Sequence, residues 1–138
     1  MMAGALMVLS AAIVFALGCI HLVYTFWGPK LNPRDPALQA RMREVHLVIT
    51  RETTMWRAWI GFNASHSLGA ILFGLVYGYL ALVHPAFLFQ SGFLLGVGLC
   101  LLGAYVFLAK AYFFSVPFAG ILASVIAYVA SLVVRFVG

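Results

Sequence analysis

Four long apolar stretches alternate with polar breaks along this chain. One polar segment and two proline-containing turn signals, at residues 84–85 and 115–117, separate the stretches. Because proline disfavours helical backbone in the residue before it, both signals predict helix boundaries. A helix needs about 20 apolar residues to cross a ~30 Å hydrocarbon core, and each stretch reaches that length. The pattern predicts four transmembrane helices, at residues 3–27, 58–83, 85–109 and 117–137.

The first apolar stretch is interpreted as a retained span and not as a signal peptide. It lacks a basic leader, and its apolar run exceeds the ~7–15 residues of a signal core. No small-residue cleavage pattern precedes the aromatic residues at its end. We therefore expect an all-α fold: one integral membrane domain over residues 1–138, a four-span transmembrane helix bundle with a partly helical segment, residues 28–57, between spans one and two.

Charge is scarce in this chain and almost all of it lies in one place. Of 138 residues, 65% are hydrophobic and 8% are charged, whereas soluble domains carry roughly a quarter of their residues as charges. This composition excludes a soluble globular protein. Nine of the eleven charged side chains lie within residues 28–57, namely Lys30, Arg34, Asp35, Arg41, Arg43, Glu44, Arg51, Glu52 and Arg57.

We expect the chain to lie in a cell membrane, which is the inner membrane in a cell that has two. The basic side chains predict its orientation there. Residues 28–57 carry six Lys or Arg and the turn at 110–116 carries Lys110, against Arg135 alone on the opposite side. The positive-inside rule therefore places both of these segments in the cytoplasm and both termini outside. The calculated pI of 9.6 then reflects this topology and contact with anionic lipid headgroups. It does not indicate nucleic-acid binding.

Residues 28–57, called the basic segment below, are expected to contain a helix that begins near Pro36. Asp35 is a favourable N-cap, and proline suits the first helical position. Two continuations are open. In one, the helix lies on the membrane surface with its arginines at the headgroups and bends near residues 53–54. In the other, a single helical stripe at spacings of three or four runs unbroken into span two. That stripe consists of Met42, Val45, Ile49, Glu52, Trp56, Trp59, Asn63 and His66.

Small residues repeat every three or four positions in the later spans. Such rows allow transmembrane helices to approach closely in lipid, where the hydrophobic effect does not drive association. We expect Gly61, Gly69 and Gly96 to be tight packing positions that do not tolerate leucine. The rows are Gly61-Ser65-Gly69, Gly74-Gly78, Gly92-Gly96-Cys100 and Gly120-Ser124-Ala127.

Two spans carry histidines at matched depth. Span two has four polar side chains within residues 63–67, and span one contributes His21. At ~1.5 Å per residue, His21 lies about 9 Å from Trp27 along its helix, and His66 about 10 Å from Trp59. The two spans run antiparallel, so both histidines reach a similar distance from the cytoplasmic interface. An ionisable side chain at such depth is costly and marks a candidate functional site.

We therefore expect His21, Asn63 and His66 to converge on a polar pocket, with Glu52 and His46 at its cytoplasmic mouth. Two imidazoles can ligate haem iron, bind a transition metal together with a carboxylate, or exchange protons with a bound quinone or lipid. The cofactor thus stays open, with His21 and His66 as the candidate metal ligands. The alternative is that the histidines only make hydrogen bonds between helices.

The run of residues 59–69 reads W-x-G-F-N-x-S-H-S-L-G, followed by Phe73-Gly74. It resembles a motif of small, uncharacterised bacterial four-helix membrane proteins. The resemblance implies that Asn63 and His66 belong to the shared motif, and it implies no reaction. Small multidrug transporters also have four short spans, but they carry a glutamate inside the first span, and this chain has none there.

Three classes of function remain. The first is a small accessory or binding subunit, which packs against copies of itself or against a membrane-complex partner through its glycine rows. The second is a membrane enzyme or redox component that uses the His21/His66 pocket. The third is a small transporter, which spans three and four disfavour because they offer mainly hydroxyl groups inside the membrane: Tyr105, Ser124, Tyr128 and Ser131.

Overall fold

The computed structural model describes residues 1–137, which fold mainly into helices, with one short hairpin. Four helices are long and apolar enough to cross a membrane, which agrees with the four predicted spans. The elements are α1 (Met2–Phe26), α2 (Pro36–Glu44), β1 (His46–Leu47), β2 (Thr50–Thr54), α3 (Met55–Val83), α4 (Pro85–Gln90), α5 (Gly92–Tyr112) and α6 (Ser115–Phe136).

The boundary predicted at Pro85 is present, but span three does not begin there. Pro85 opens the six-residue helix α4, and the chain breaks again at Ser91. The Ser91 hydroxyl accepts a hydrogen bond from the Leu94 N–H and caps α5, so the third span begins at Gly92. In α6 the helix starts at Ser115, and Pro117 falls in the first turn, where its missing N–H costs no helical hydrogen bond.

The chain divides into two compact units, Met1–Leu17 with Ala70–Gly138, and Gly18–Gly69. The first unit has an apolar core to which α1, α3, α5 and α6 all contribute; fully buried members include Met7, Val14, Leu102 and Tyr128. Hydroxyl groups add hydrogen bonds between these helices.

The buried hydroxyl groups of the first unit are all used for packing. The Ser10 and Ser124 hydroxyls lie 2.8 Å apart, and Ser131 donates to the Ala3 carbonyl at 2.7 Å. Tyr128 donates to the Leu95 carbonyl at 2.9 Å. Among the described residues, no buried side-chain nitrogen or oxygen lacks a hydrogen-bond partner.

Two glycines in these rows that were not singled out pack closely, whereas two of the three expected ones do not, and Gly69 stays a prediction. A Cβ built on Gly74 would lie 2.5 Å from the Phe15 Cβ, and one on Gly120 would lie 2.9 Å from a Leu17 methyl. Gly61 and Gly96 have no atom within 4 Å of such a Cβ. The prediction that these two are tight positions is therefore wrong within the described chain. Their open surfaces leave room for a neighbour, and association with a copy or partner stays a prediction.

The second unit contains the basic segment, whose structure matches neither of the two predicted continuations of its helix. The Asp35 carboxylate accepts from the Ala37 N–H at 2.9 Å and caps α2, as predicted. The helix then stops at Glu44, and an antiparallel hairpin of β1 and β2 follows. The prediction of an unbroken helical stripe from residue 42 to residue 66 is therefore wrong, because residues 46–54 form this hairpin. The bend expected near residues 53–54 coincides with the junction between β2 and α3.

Candidate functional site

The second unit brings His21 of α1 against Asn63 of α3. The His21 Nε2 lies 2.9 Å from the Asn63 Oδ1. Both residues lie inside long apolar helices, where an unpaired polar side chain is expensive. This bond therefore connects the two helices at the position where the sequence places its polar groups.

The orientation of Asn63 determines which ring nitrogen of His21 carries the proton. The Asn63 Nδ2 lies 2.8 Å from the Trp59 carbonyl, which accepts hydrogen bonds and cannot donate them. The amide nitrogen is thus committed to Trp59, and Oδ1 is the atom that faces the histidine. His21 must then donate through Nε2–H, and in the neutral ring its Nδ1 carries the lone pair.

His66 completes the group, because its ring stands beside that of His21. The two ring centroids are 5.4 Å apart and the planes cross at 78°. Both histidines are half-buried. His21, Asn63 and His66, called the histidine cluster below, are the three candidate residues that the structure brings together.

The neighbouring hydroxyl groups stabilise the helices around this cluster. Thr25 donates to the His21 carbonyl at 2.8 Å, and Ser67 donates to the Asn63 carbonyl at 2.8 Å. Ser65 donates to the Phe62 carbonyl within its own helix. Of the four polar residues at 63–67, the two serines thus make hydrogen bonds within their own helix. Asn63 and His66 instead contact the facing helix.

The basic segment is attached to the start of α3 beside the cluster. The Trp59 indole N–H donates to the Leu31 carbonyl at 3.1 Å, and the Arg43 guanidinium lies 5.3 Å from the centre of the Trp56 ring. Because the Trp59 carbonyl also holds Asn63, one tryptophan links the histidine cluster to the chain that leaves α1. From the sequence, Trp59 was expected to mark depth and to lie on the helical stripe, and its bond to Leu31 was not expected. Thr25 was not a candidate residue, although its position one turn after His21 was an available signal.

Glu52 and His46 occupy the exposed hairpin. Glu52 lies on β2, so the argument that placed it on one helical face with Asn63 and His66 is wrong. The His46 Nδ1 lies 2.9 Å from the Thr53 carbonyl and must be its donor. The described residues contain no group of three His, Cys, Asp or Glu side chains that could hold a metal ion, so neither residue completes a metal site with the two histidines.

The donor set of the cluster fits a metal only in part. Metal-binding histidines commonly donate their second ring N–H to an oxygen acceptor, and the bond from His21 to Asn63 has this form. His21 would therefore face a metal with Nδ1. Two imidazoles leave the remaining positions of a tetrahedral ion to water or to a ligand.

Comparison with known proteins yields no match to any family model, curated protein or solved structure.

Proposed function

We propose that this chain is a small integral membrane binding subunit and that the histidine cluster is its ligand site. The observation that carries the proposal is the second imidazole. Asn63 accepts the N–H of His21, so a bond between the helices does not require His66. A second imidazole 5.4 Å from the first places two rings at one site, which is the arrangement that shared ligation or proton exchange needs.

The donors and acceptors of the cluster define the chemistry of the ligand. His21 offers the Nδ1 lone pair because its Nε2–H is committed to Asn63. This atom suits a transition-metal ion, or a hydroxyl group such as those of a reduced quinone or a lipid headgroup. An enzyme or redox component acting on such a ligand would use the same residues, and this is the alternative form of the proposal.

Binding is tested on protein purified in mild detergent. We expect an absorption spectrum, metal analysis, or titration with Co²⁺ and with a short-chain quinol to reveal a bound or bindable ligand. His21→Gln and His66→Gln should each weaken that binding about tenfold or more, because each removes one of two ligating groups. His84→Gln is the matched control, because His84 belongs to the other unit. His84 stands at the N-cap position of α4, but its side chain makes no capping hydrogen bond there.

Binding of any of these probes that is unchanged in both cluster variants would contradict the proposal. The same holds if the purified protein carries no metal or haem and neither Co²⁺ nor the quinol binds.

We also propose that residues 28–57 and 110–116 face the cytoplasm. Seven Lys or Arg on that side against Arg135 on the other support this orientation. Single cysteines placed at Lys30 or Arg41, in a background without Cys19 and Cys100, should react with an impermeant thiol reagent only after the cells are opened. Labelling of either position in intact cells would reverse the topology.

A transporter is supported less well. Transport of a polar solute needs polar groups that line a path, and the buried hydroxyl groups of the first unit are committed to helix–helix hydrogen bonds. The polar side chains in its core therefore serve packing.

A further inference from the structure

The tip of the hairpin in the basic segment exposes two apolar side chains. Leu47 pairs with Thr50, so Val48 and Ile49 form a two-residue turn. Their relative exposures are 110% and 88%. Two-residue turns favour Asn, Asp and Gly, because these residues readily adopt the backbone conformations that such turns require. The two β-branched residues therefore do not stabilise the turn itself. Their apolar side chains point away from the unit without a partner inside it.

The segment that carries the tip is basic. Arg51 lies two residues after Ile49 and is exposed, and Arg43 lies over the Trp56 ring at the other end of the hairpin. Across residues 28–57, six basic and three acidic side chains leave a net charge of +3. An anionic phospholipid leaflet has negatively charged headgroups above an apolar acyl region. The basic segment with its apolar tip is complementary to such a leaflet.

The hairpin is also tethered close to a membrane interface. Ile49 precedes the first residue of α3 by six positions. An extended strand rises ~3.3 Å per residue, so the tip lies within about 20 Å of the start of the span. The first two turns of α3 carry Trp56 and Trp59, and tryptophan is typical of the membrane–water boundary.

We propose that Val48 and Ile49 insert into the interfacial region of an anionic leaflet while Arg43 and Arg51 bind its lipid phosphates. The hairpin is then a lipid-sensing contact of the basic segment, in addition to the spans. This inference is independent of the histidine cluster and holds whichever ligand binds there.

The experiment places an environment-sensitive NBD fluorophore at the tip. Val48→Cys is labelled in a background with Cys19→Ala and Cys100→Ala, and the protein is reconstituted in nanodiscs of phosphatidylcholine alone or with phosphatidylglycerol. Ala40→Cys is the matched control, because Ala40 lies on the exposed face of α2 between Ala37 and Arg41. Ile49→Cys repeats the measurement with the second tip residue.

We expect the emission of the tip label to shift to shorter wavelength and to be quenched by spin-labelled lipid, more strongly with phosphatidylglycerol, whereas the label at residue 40 shows neither effect. Arg51→Gln should reduce the dependence on phosphatidylglycerol. An equal response at residues 48 and 40 would overturn the insertion. A response that is the same without anionic lipid would overturn the choice of partner. Disulfide dimers through residue 48 without lipid quenching would assign the tip to a second copy.

Discussion

Replacing Gly74 with alanine is expected to destabilise the protein strongly. A Cβ at this position would lie 2.5 Å from the Phe15 Cβ, 2.9 Å from the Ala11 carbonyl oxygen and 3.0 Å from the Phe15 Cα. Two of these atoms are backbone, so α1 and α3 must move apart to admit a single methyl group. Overpacking of this kind costs about 1–3 kcal/mol. A lower midpoint of thermal unfolding in detergent is the measurement.

Gly61→Ala is the matched control for this prediction, because it makes the same change in the same helix. No atom lies within 4 Å of a Cβ at Gly61, and alanine is favoured over glycine in helices by about 1 kcal/mol. We expect its stability to be unchanged or slightly raised. Equal unfolding midpoints for the two variants would refute the packing of α1 against α3 within the first unit.

Replacing Asn63 with leucine is expected to have the largest effect in the second unit. Leucine has the same branching and the same number of side-chain heavy atoms, but it offers no acceptor for the His21 Nε2–H and removes the side-chain bond to the Trp59 carbonyl. Leaving the His21 N–H without a partner between two helices costs about 1–3 kcal/mol. The loss should appear as a lower unfolding midpoint and as faster tryptic cleavage in the basic segment, which is attached through Trp59.

Ser65→Ala serves as the control for Asn63→Leu. Ser65 is exposed, lies two residues further along α3, and donates only to the Phe62 carbonyl of its own helix. Its removal should change stability by no more than about 0.5 kcal/mol. If both variants behave alike, Asn63 does not connect the two helices.

The four long apolar helices were predictable because the length and hydropathy of each stretch can be read directly from the sequence. The convergence of His21, Asn63 and His66 was also predictable, since helix rise sets depth and unpaired polar side chains in apolar helices are costly. Whether they bind a ligand stays a prediction. The orientation of the Asn63 amide was not accessible from sequence, because it depends on the Trp59 carbonyl.

The tight glycines could not be identified from their spacing. In lipid, both the inner and the outer face of a span are apolar, so a row such as that of Gly96 looks the same whether it faces a helix or an open surface. The hairpin was missed for a different reason. Apolar residues at 45, 49 and 56 match a helical spacing by coincidence, whereas the β-branched run Val48-Ile49-Thr50 and the pair Thr53-Thr54 favour strands.

The most direct test of the histidine cluster is nitrogen NMR of the imidazole rings in lipid bilayers, with His21 assigned by its loss in His21→Gln. The structure predicts that neutral His21 is protonated at Nε2 and unprotonated at Nδ1, and that this proton exchanges slowly with water in the wild-type protein and rapidly in Asn63→Leu. A neutral His21 protonated at Nδ1, or a ring proton that exchanges as fast as that of exposed His84, would contradict the cluster.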